Sequence, residues 1–348
     1  MESLPLPSTV KVVHQPDAQS PRLVLERAPL PTISRPDECL VRVYTTSPCP
    51  GELHWEVWFP SLFAPGRERV PCTEAAGVVV KMADGDEARA SRFKVGDDVF
   101  FRLEPSQTGN LREYTLARLS QVAHKPKSVG WVEAGATPLS ALTAWQGLFR
   151  HGILDERAVF GDDAARRKNA NLGVLVTGAS GVVGGWAVQF AALAGAGRIV
   201  AVAGGAAAGD RVRELGATEV VDYKEQRVSD WVAVSPSERE VDAALDCVGG
   251  PTLASCWSAV KEGGVLHSVT GDPQQSKPAS VAKQLAEASW FLVEPDGAQL
   301  EAIAGLQGEG KCTAKVDSVV DFEHFQEAFD KVERREANGK VVIRVCSF

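Results

Sequence analysis

The sequence has no apolar run of the roughly 20 residues that a helix needs to cross a bilayer. Its first seven residues contain neither the basic nor the apolar segment of a secretory signal peptide. Positive charge is not in excess either, because 37 lysine and arginine residues are set against 45 aspartate and glutamate residues, for a net charge of −8. These absences argue against a membrane protein, a secreted protein and a protein whose main ligand is nucleic acid. We expect a cytoplasmic location, with neither a membrane nor a nucleic acid as partner.

Cysteine pairs are missing as well. The seven cysteines are scattered and none belongs to a Cys-x-x-Cys pair, which argues against a disulfide framework and against a zinc ribbon. The chain does have length and apolar content, with 348 residues of which 44% are hydrophobic. That is enough for more than one hydrophobic core, so we expect two domains.

Short β-type runs fill the first 125 residues and are separated by proline and glycine. This spacing favours a compact β-rich domain. The predicted strands are 10–14, 38–45, 76–82, 98–102 and 113–117. The pattern changes near Lys125 and Pro126, and residues 131–149 have the apolar spacing of a helix.

From Gly173 onward, predicted strands alternate with predicted helices, which is typical of a parallel, doubly wound sheet. The strands are 174–177, 198–203, 219–222, 241–247 and 264–269, and the helices are 182–195, 208–215 and 251–261. The polar insert before them, 161–171, is interpreted as a solvated loop. The closing strand, 339–345, has no helix after it, so we expect it to complete a sheet that begins in the N-terminal domain.

The stretch 174–185 gives the clearest functional signal, because a buried β-branched strand turns through small residues into a helix. Gly178 permits the turn, Gly181 allows a phosphate to approach the backbone, and Gly184 lets the helix pack closely on the strand. Ala179 replaces the first glycine of the usual motif. Since the N–H groups at a helix start favour anions, we predict a dinucleotide pyrophosphate site here.

The end of the second strand of this unit distinguishes NADH from NADPH. An NAD-binding domain normally has an acid there, which accepts hydrogen bonds from the adenosine ribose. Here 199–203 runs into Gly204, and no acid occurs before Asp210. Because an acid would repel a 2′-phosphate, its absence favours NADPH. The candidate side chains around that phosphate are Arg211, Arg213 and Tyr223.

Several motifs in order resemble the medium-chain dehydrogenase/reductase family, and specifically its zinc-free quinone oxidoreductase and enoyl reductase branch. Besides the glycine stretch, the matching segments are 142–145, 187–191, 213–217, 220–223, 241–250, 263–266, 295–297 and 339–342. The resemblance implies an α/β fold with a GroES-like β-rich catalytic domain and a doubly wound Rossmann domain. Its boundaries would be 1–125 for the catalytic domain, 126–280 for the NADP-binding Rossmann domain, and 281–348 for the last Rossmann elements and the return to the catalytic domain.

The resemblance also implies residue roles. Ser180, Val182 and Val183 would lie at the pyrophosphate, Tyr223 near the 2′-phosphate, and Val269 and Thr270 beside the nicotinamide, with Thr143 beneath it. Together with the glycine motif, the predicted NADPH-binding set is Gly178, Ser180, Gly181, Val182, Val183, Gly184, Gly204, Tyr223, Val269, Thr270 and Lys340.

Zinc-containing members of the family have a Cys-Gly-x-Asp-x-His segment and a Gly-His-Glu segment. The matching segments here begin at Cys49 and Cys72, and the second has Thr73 in place of the histidine. The four-cysteine lobe of structural zinc is missing from the sequence. We therefore expect no metal, although Cys49, His54 and Glu74 leave open the alternative of three ligands to a catalytic zinc.

Without a Lewis acid, a simple ketone is hard to reduce and a conjugated acceptor is easier. We predict an NADPH-dependent reductase of an enone, enoyl thioester or quinone, with the Thr143 hydroxyl among the donors to the developing oxyanion. His54, Glu52 or water would supply the proton. Four aromatic residues of 55–63 either line the substrate side or pack in the core.

Two other functions stay open at this point. One is a trans-acting enoyl reductase of secondary metabolism, which would reduce a chain tethered to the acyl carrier protein of a polyketide assembly line. The other is an NADPH-binding sensor or scaffold without turnover. The apolar run 288–293 is a candidate edge strand that pairs across a homodimer, as in relatives, but a buried strand of a monomer explains it equally well.

Overall fold

The computed structural model describes residues 5–63 and 66–347. Residues 1–4, part of the N-terminal stretch without a targeting pattern, lie outside the described residues. The chain divides into two compact units: unit 1 is Met1–Leu139 with Glu294–Phe348, and unit 2 is Ser140–Val293. Among the described residues, no helix is both long and apolar enough to cross a membrane.

The described residues form fifteen strands: β1 (Thr9–His14), β2 (Val24–Pro29), β3 (Glu38–Ser47), β4 (Glu74–Met82), β5 (Asp98–Arg102), β6 (Tyr114–Arg118), β7 (Val122–His124), β8 (Gly173–Val176), β9 (Arg198–Ala203), β10 (Glu219–Asp222), β11 (Val241–Asp246), β12 (Val260–Ser268), β13 (Glu287–Trp290), β14 (Val316–Asp321) and β15 (Lys340–Arg344). They also form twelve α-helices: α1 (Trp55–Trp58), α2 (Asp86–Ala90), α3 (Trp131–Gly135), α4 (Pro138–Trp145), α5 (Asp163–Asn169), α6 (Val182–Leu193), α7 (Ala206–Glu214), α8 (Val228–Ala233), α9 (Pro236–Arg239), α10 (Gly250–Ala259), α11 (Gly297–Gly308) and α12 (Phe325–Glu333).

Unit 1 is built on a seven-stranded sheet. Its strands follow the order β14-β15-β3-β4-β5-β7, and β6 also pairs with β3. The closing strand β15 pairs antiparallel with β3, with Ile343 opposite Thr46. The prediction that the last strand completes an N-terminal sheet is therefore confirmed. A core of buried aliphatic and aromatic side chains on this sheet, including Val41, Phe101 and Phe329, holds the N-terminal and C-terminal segments together.

Unit 2 is a doubly wound parallel sheet with the strand order β10-β9-β8-β11-β12-β13. The chain starts at β8 in the middle, moves outward to β10, and then returns to β11 on the other side of β8. Ligands of such sheets bind at the carboxyl ends of the strands where the order reverses, which here is between β8 and β11. β13, which includes the start of the apolar run 288–293, is the outermost strand on one side.

The units divide later in the chain than the sequence boundaries at 125 and 280 indicate. The α3 segment stays with unit 1, where the Thr45 hydroxyl donates to the carbonyl of Trp131 at 2.7 Å. At the other boundary, β13 extends the sheet of unit 2 by parallel pairing with β12. Hydrogen bonding in the two sheets, rather than the change in composition, sets both limits.

The interpretation of 161–171 as a loop is wrong, because it contains helix α5. Asp162 caps this helix by accepting hydrogen bonds from the N–H groups of Ala164 and Ala165, both at 2.9 Å. The Asn169 amide at its end is buried and donates to the carbonyls of Asp155 and Ala194. A side-chain cap and one buried amide thus order a polar segment that has no apolar periodicity.

Candidate functional site

The glycine turn lies between β8 and α6. Gly178 has a φ of 58°, in the left-handed region that favours glycine. A Cβ on Gly184 would lie 2.3 Å from the carbonyl oxygen of Gly178. The helix therefore packs on the turn at a distance that only glycine permits.

The predicted pyrophosphate contacts gather at the start of the twelve-residue helix α6. Ser180 precedes the N-cap residue Gly181, and Val182 and Val183 begin the first turn of the helix. The N-cap glycine provides no side-chain cap, and the first N–H groups of a helix have no acceptor within the helix. The turn and the helix start fit a diphosphate in both shape and polarity.

The end of β9 would lie beside the adenosine of a dinucleotide. A Cβ on Gly204 would lie 2.5 Å from the ring of Tyr223, which follows β10 and is 59% exposed. Gly205, with a φ of 83°, donates its N–H to Asp222 Oδ2 at 2.9 Å. Thus β9 does not end in an acidic residue, but the carboxylate of Asp222 at the end of β10 binds the loop that follows β9.

Lys224 is a cation next to this loop that the sequence reasoning missed. Its Nζ lies 3.8 Å from the place of a Cβ on Gly205. By contrast, Arg213 forms an exposed ion pair with Asp210 at 3.2 Å. Lys224 lies beside this loop because β10 pairs with β9. In the sequence it only follows Asp222 and Tyr223, and that position does not indicate a phosphate contact.

Asp246, at the end of β11, organises the loops at the point where the strand order reverses. Its fully buried carboxylate accepts hydrogen bonds from the hydroxyls of Thr177 at 2.6 Å, Ser268 at 2.9 Å and Thr270 at 3.1 Å. The N–H of Gly249 donates to it at 2.9 Å. Asp246 therefore positions the loop of the predicted nicotinamide contacts. A buried acid at the end of an apolar strand was a signal that could have identified it.

Unit 1 holds a buried ion pair. Glu74 is fully buried at the start of β4, and the ammonium of Lys340 pairs with its Oε1. Ser47 Oγ donates to the same oxygen at 2.7 Å, and the Leu139 N–H donates to Oε2 at 2.8 Å. Burial lowers the pKa of Lys340, but the charge of Glu74 and the hydrogen bond to it outweigh that effect, so the pKa of Lys340 is raised. Lys340 is therefore held as an ammonium ion against Glu74.

Glu52 lies close to this pair, in the short 3₁₀ turn Glu52–His54. Its Oε1 accepts a hydrogen bond from the Cys72 N–H at 3.0 Å, whereas its Oε2 is buried without a partner among the described residues. Burial raises the pKa of Glu52 to about 8. The carboxyl group is therefore largely protonated at neutral pH. His54 instead stacks on Trp58, with 5.4 Å between the ring centroids.

The residues present do not fit a catalytic zinc. Thr73 stands where zinc members have a histidine, and the Glu74 carboxylate is already occupied by Lys340. A zinc ion would also have to lie among two buried cations, Lys340 and Arg102. Within 5–63 and 66–347, no group of three His, Cys, Asp or Glu side chains is arranged for a metal.

The predicted site residues thus fall into two groups. Unit 2 contains Thr143, buried on α4, and all of the predicted NADPH-binding residues except Lys340. Unit 1 contains Glu52, His54 and Lys340. Within unit 1, Lys340 and Glu52 belong to one buried charge cluster with Cys49 and Glu74, as their mutual electrostatic effects show.

Comparisons with known proteins match this architecture. The family model of the alcohol dehydrogenase GroES-like domain matches residues 35–137, and that of the zinc-binding dehydrogenase matches residues 215–343. A probable zinc-binding oxidoreductase, mitochondrial, of Arthroderma benhamiae is 40% identical over 98% of this chain and 98% of its own length. The chain belongs to the medium-chain dehydrogenase/reductase family.

Two further members of the family are similar over most of their length. A chloroplast envelope quinone oxidoreductase homolog of Arabidopsis thaliana is 31% identical and covers 91% of this chain and 92% of its own. The crystal structure of an alcohol dehydrogenase superfamily protein from Novosphingobium aromaticivorans, 26% identical, aligns with a TM-score of 0.79 over 97% of this chain and all of the other. Medium-chain dehydrogenase/reductases bind NAD(P), and the glycine cradle fits it, so the chain is an NAD(P)-dependent oxidoreductase.

Proposed function

We propose that the chain is an NADPH-dependent reductase that transfers hydride to an activated C=C bond or a quinone without zinc. The observation that carries this proposal is the pairing of Glu74 with Lys340, together with Thr73 in place of a histidine. Both observations, with the lack of a three-ligand group among the described residues, support a reaction without a Lewis acid. An isolated ketone would then have nothing to neutralise its developing alkoxide, whereas a conjugated acceptor spreads the charge.

When bound, the reduced nicotinamide supplies the hydride. Addition at the β-carbon of an enone breaks the C=C π bond and places the negative charge on the carbonyl oxygen as an enolate. Hydrogen-bond donors stabilise that oxygen, and the Thr143 hydroxyl is our candidate among them. A proton then adds to the α-carbon, which completes the saturated ketone.

Glu52 is the proton donor in this proposal. Its carboxyl group is largely protonated at neutral pH, and within 5–63 and 66–347 its Oε2 has no hydrogen-bond partner. After the proton has been transferred, the group regains one from water. Buried carboxylic acids with raised pKa values are suited to this role.

Two observations support NADPH and the acceptor class. No acid ends β9, and Lys224 supplies a cation beside the loop for a 2′-phosphate, although Asp222 partly offsets its charge. A relative is named as a quinone oxidoreductase homolog. Neither observation selects one acceptor among enones, enoyl thioesters and quinones.

The experiment is a panel of acceptors with NADPH and with NADH, each with and without a metal chelator. We expect NADPH oxidation with enones or quinones, unchanged by the chelator, and none with saturated ketones. Zinc-dependent turnover of a simple alcohol or ketone would reject the proposal. Tight NADPH binding without turnover of any acceptor would favour the sensor or scaffold instead.

A further inference from the structure

Arg102 is a buried arginine that the reaction described so far does not use. It ends β5 and is 1% exposed. Its Cα lies opposite that of Glu74 in the antiparallel ladder of β4 and β5, so both side chains leave the same face of the sheet. Glu74 nevertheless binds Lys340, Ser47 and the Leu139 N–H. The Nε and Nη1 atoms of Arg102 are buried without a hydrogen-bond partner among the described residues.

Other buried polar atoms for which the described part of the chain provides no hydrogen-bond partner lie around the same strand ends. They are Glu52 Oε2, Thr73 Oγ1 and Asn110 Oδ1. The Leu103 N–H donates to the carbonyl of Thr73 at 2.7 Å, which places Arg102 next to this group. Cys72 links the others, since its N–H binds Glu52 and its carbonyl accepts from Asn110 Nδ2 at 2.9 Å. Buried groups of this kind are normally satisfied, so each of these atoms is a candidate contact for a bound ligand.

The charges at these strand ends are not evenly paired either. Lys340 pairs closely with Glu74, whereas within the described residues Arg102 forms no ion pair shorter than 4.0 Å. Arg102 is therefore a buried cation without a close counter-ion in this part of the chain. Such a charge is costly unless a counter-ion is bound.

Glu104 is too distant and too exposed to serve as that counter-ion. Glu104 Oε2 lies 4.0 Å from Arg102 Nη1, at the limit of an ion pair, and its side chain is 40% exposed. Glu294 is exposed too, and its charge raises the pKa of Arg102. Burial lowers the pKa of Arg102 to about 10, against the opposing effect of Glu104. The guanidinium is thus charged but poorly compensated.

We propose that Arg102 binds a carboxylate of the substrate, so that the acceptor is an α,β-unsaturated carbonyl compound that also carries a carboxylate group. This inference rests on the proposed reductase function. A carboxylate supplies the close counter-ion that Arg102 lacks among the described residues, and its two oxygens match the forked N–H groups of a guanidinium. The Thr73 hydroxyl is a further donor to the same group.

The test compares 4-oxopent-2-enoate with its methyl ester, in which esterification removes the negative charge of the carboxylate. We expect the wild-type enzyme to prefer the acid in kcat/KM by about tenfold or more, the effect of one charge-assisted hydrogen bond. In Arg102→Gln the preference is lost because turnover of the acid falls, while turnover of the ester and the KM for NADPH change little. Arg102→Lys keeps part of the preference. The matched control is Arg89→Gln, which removes a 75% exposed arginine side chain of the same unit and leaves the preference as in wild type.

An unchanged preference in Arg102→Gln overturns the proposal, and so does an equal loss for acid and ester. A raised KM for NADPH alone assigns Arg102 to the cofactor and also overturns it. A second readout needs no turnover: the reduced acid, 4-oxopentanoate, should raise the Tm of wild type and not that of Arg102→Gln, whereas pentan-2-one should raise neither.

The two proposals fail in different ways. If no acceptor consumes NADPH, the reductase function fails, and the Tm shift by 4-oxopentanoate still decides whether Arg102 binds a carboxylate. Without ligand, Arg102→Met should be at least as stable as wild type in urea unfolding, because it removes a charge that nothing compensates. A large loss of stability would instead show that Arg102 has a structural role.

Discussion

Lys340 and Glu74 form the interaction on which the metal-free account depends, because the ammonium occupies the carboxylate next to the position of the lost histidine. Breaking one partner of a buried pair leaves an uncompensated charge. We therefore expect Lys340→Met to cost about 3–5 kcal/mol in the free energy of unfolding. Urea denaturation measures this value.

The double variant Lys340→Met with Glu74→Gln serves as the control for that prediction. It removes both charges and should recover most of the lost stability. A single variant as stable as wild type would contradict the buried ion pair.

Replacing Glu52 by glutamine should have opposite effects on stability and on activity. Its folded pKa of about 8 lies above the ordinary value of 4.5, so the folded state keeps a proton that the unfolded state releases between these pH values. The contribution of Glu52 to stability therefore falls as pH rises from about 4.5 to about 8. Glu52→Gln should remove this fall and raise the Tm near pH 8. Because it cannot donate the proton, its kcat should drop about a hundredfold.

The pH profile of kcat identifies the donor. In wild type, kcat should decline as pH rises through about 8, and this decline should disappear in Glu52→Gln. If His54→Gln removes the decline instead, the histidine is the donor and Glu52 only holds the Cys72 loop.

At this scale the sequence could single out part of the candidate site. Glu52, His54 and Thr73 could be singled out because they stand in segments that resemble the zinc segments of the family. The partnership of Glu74 with Lys340 spans 266 residues in the chain and depends on the order of strands, so no local pattern shows it. Arg102 was missed for a related reason, since it looks like any residue that ends a strand.

Among the elements, the turn from β8 into α6 allows a matched test. Gly184→Ala would bring a Cβ within 2.3 Å of the Gly178 carbonyl and should displace the helix start, with a large loss of NADPH affinity. In Gly185→Ala, one residue further along the same helix, the nearest atoms lie 3.7 Å away, and affinity should stay near wild type. Calorimetric titration with NADPH measures both. Equal affinities in the two variants would show that the turn does not hold the pyrophosphate.

The loop after β9 carries the prediction on cofactor choice. Lys224→Gln should raise the KM for NADPH about tenfold and leave that for NADH nearly unchanged, because only NADPH has a 2′-phosphate. Arg213→Gln is the control, since Arg213 is exposed and paired with Asp210. An equal effect on both cofactors, or a larger effect of Arg213→Gln, would contradict the role of Lys224.

Elements with strong periodicity could be predicted from the sequence, and elements held by single polar contacts could not. The predicted strands 98–102, 198–203 and 219–222 agree with β5, β9 and β10 at both ends. These runs are apolar and bounded by glycine or charge. Helix α5 and strand β2 were missed, because a side-chain cap orders the former and antiparallel pairing with β1 defines the latter.

At the scale of the whole molecule, unit 1 is built from two separate segments of the chain, one from each end. Strand β15 brings Lys340 to β3 and thereby to Glu74, so the C-terminal segment completes the charge cluster of unit 1. The resemblance to the family anticipated this return of the chain, whereas composition alone indicated only where its character changes. We expect removal of β15 to abolish folding of unit 1 as well as activity.

The central claim is that hydride reaches a conjugated carbon without a metal. The most direct measurement follows deuterium from NADPH deuterated at C4 into the product of an enone, with chelator-treated enzyme whose zinc content is measured in parallel. The account predicts deuterium at the β-carbon of a saturated ketone, at an undiminished rate and with substoichiometric zinc. Deuterium at the carbinol carbon of an alcohol, or a transfer that stops when zinc is removed, would contradict it.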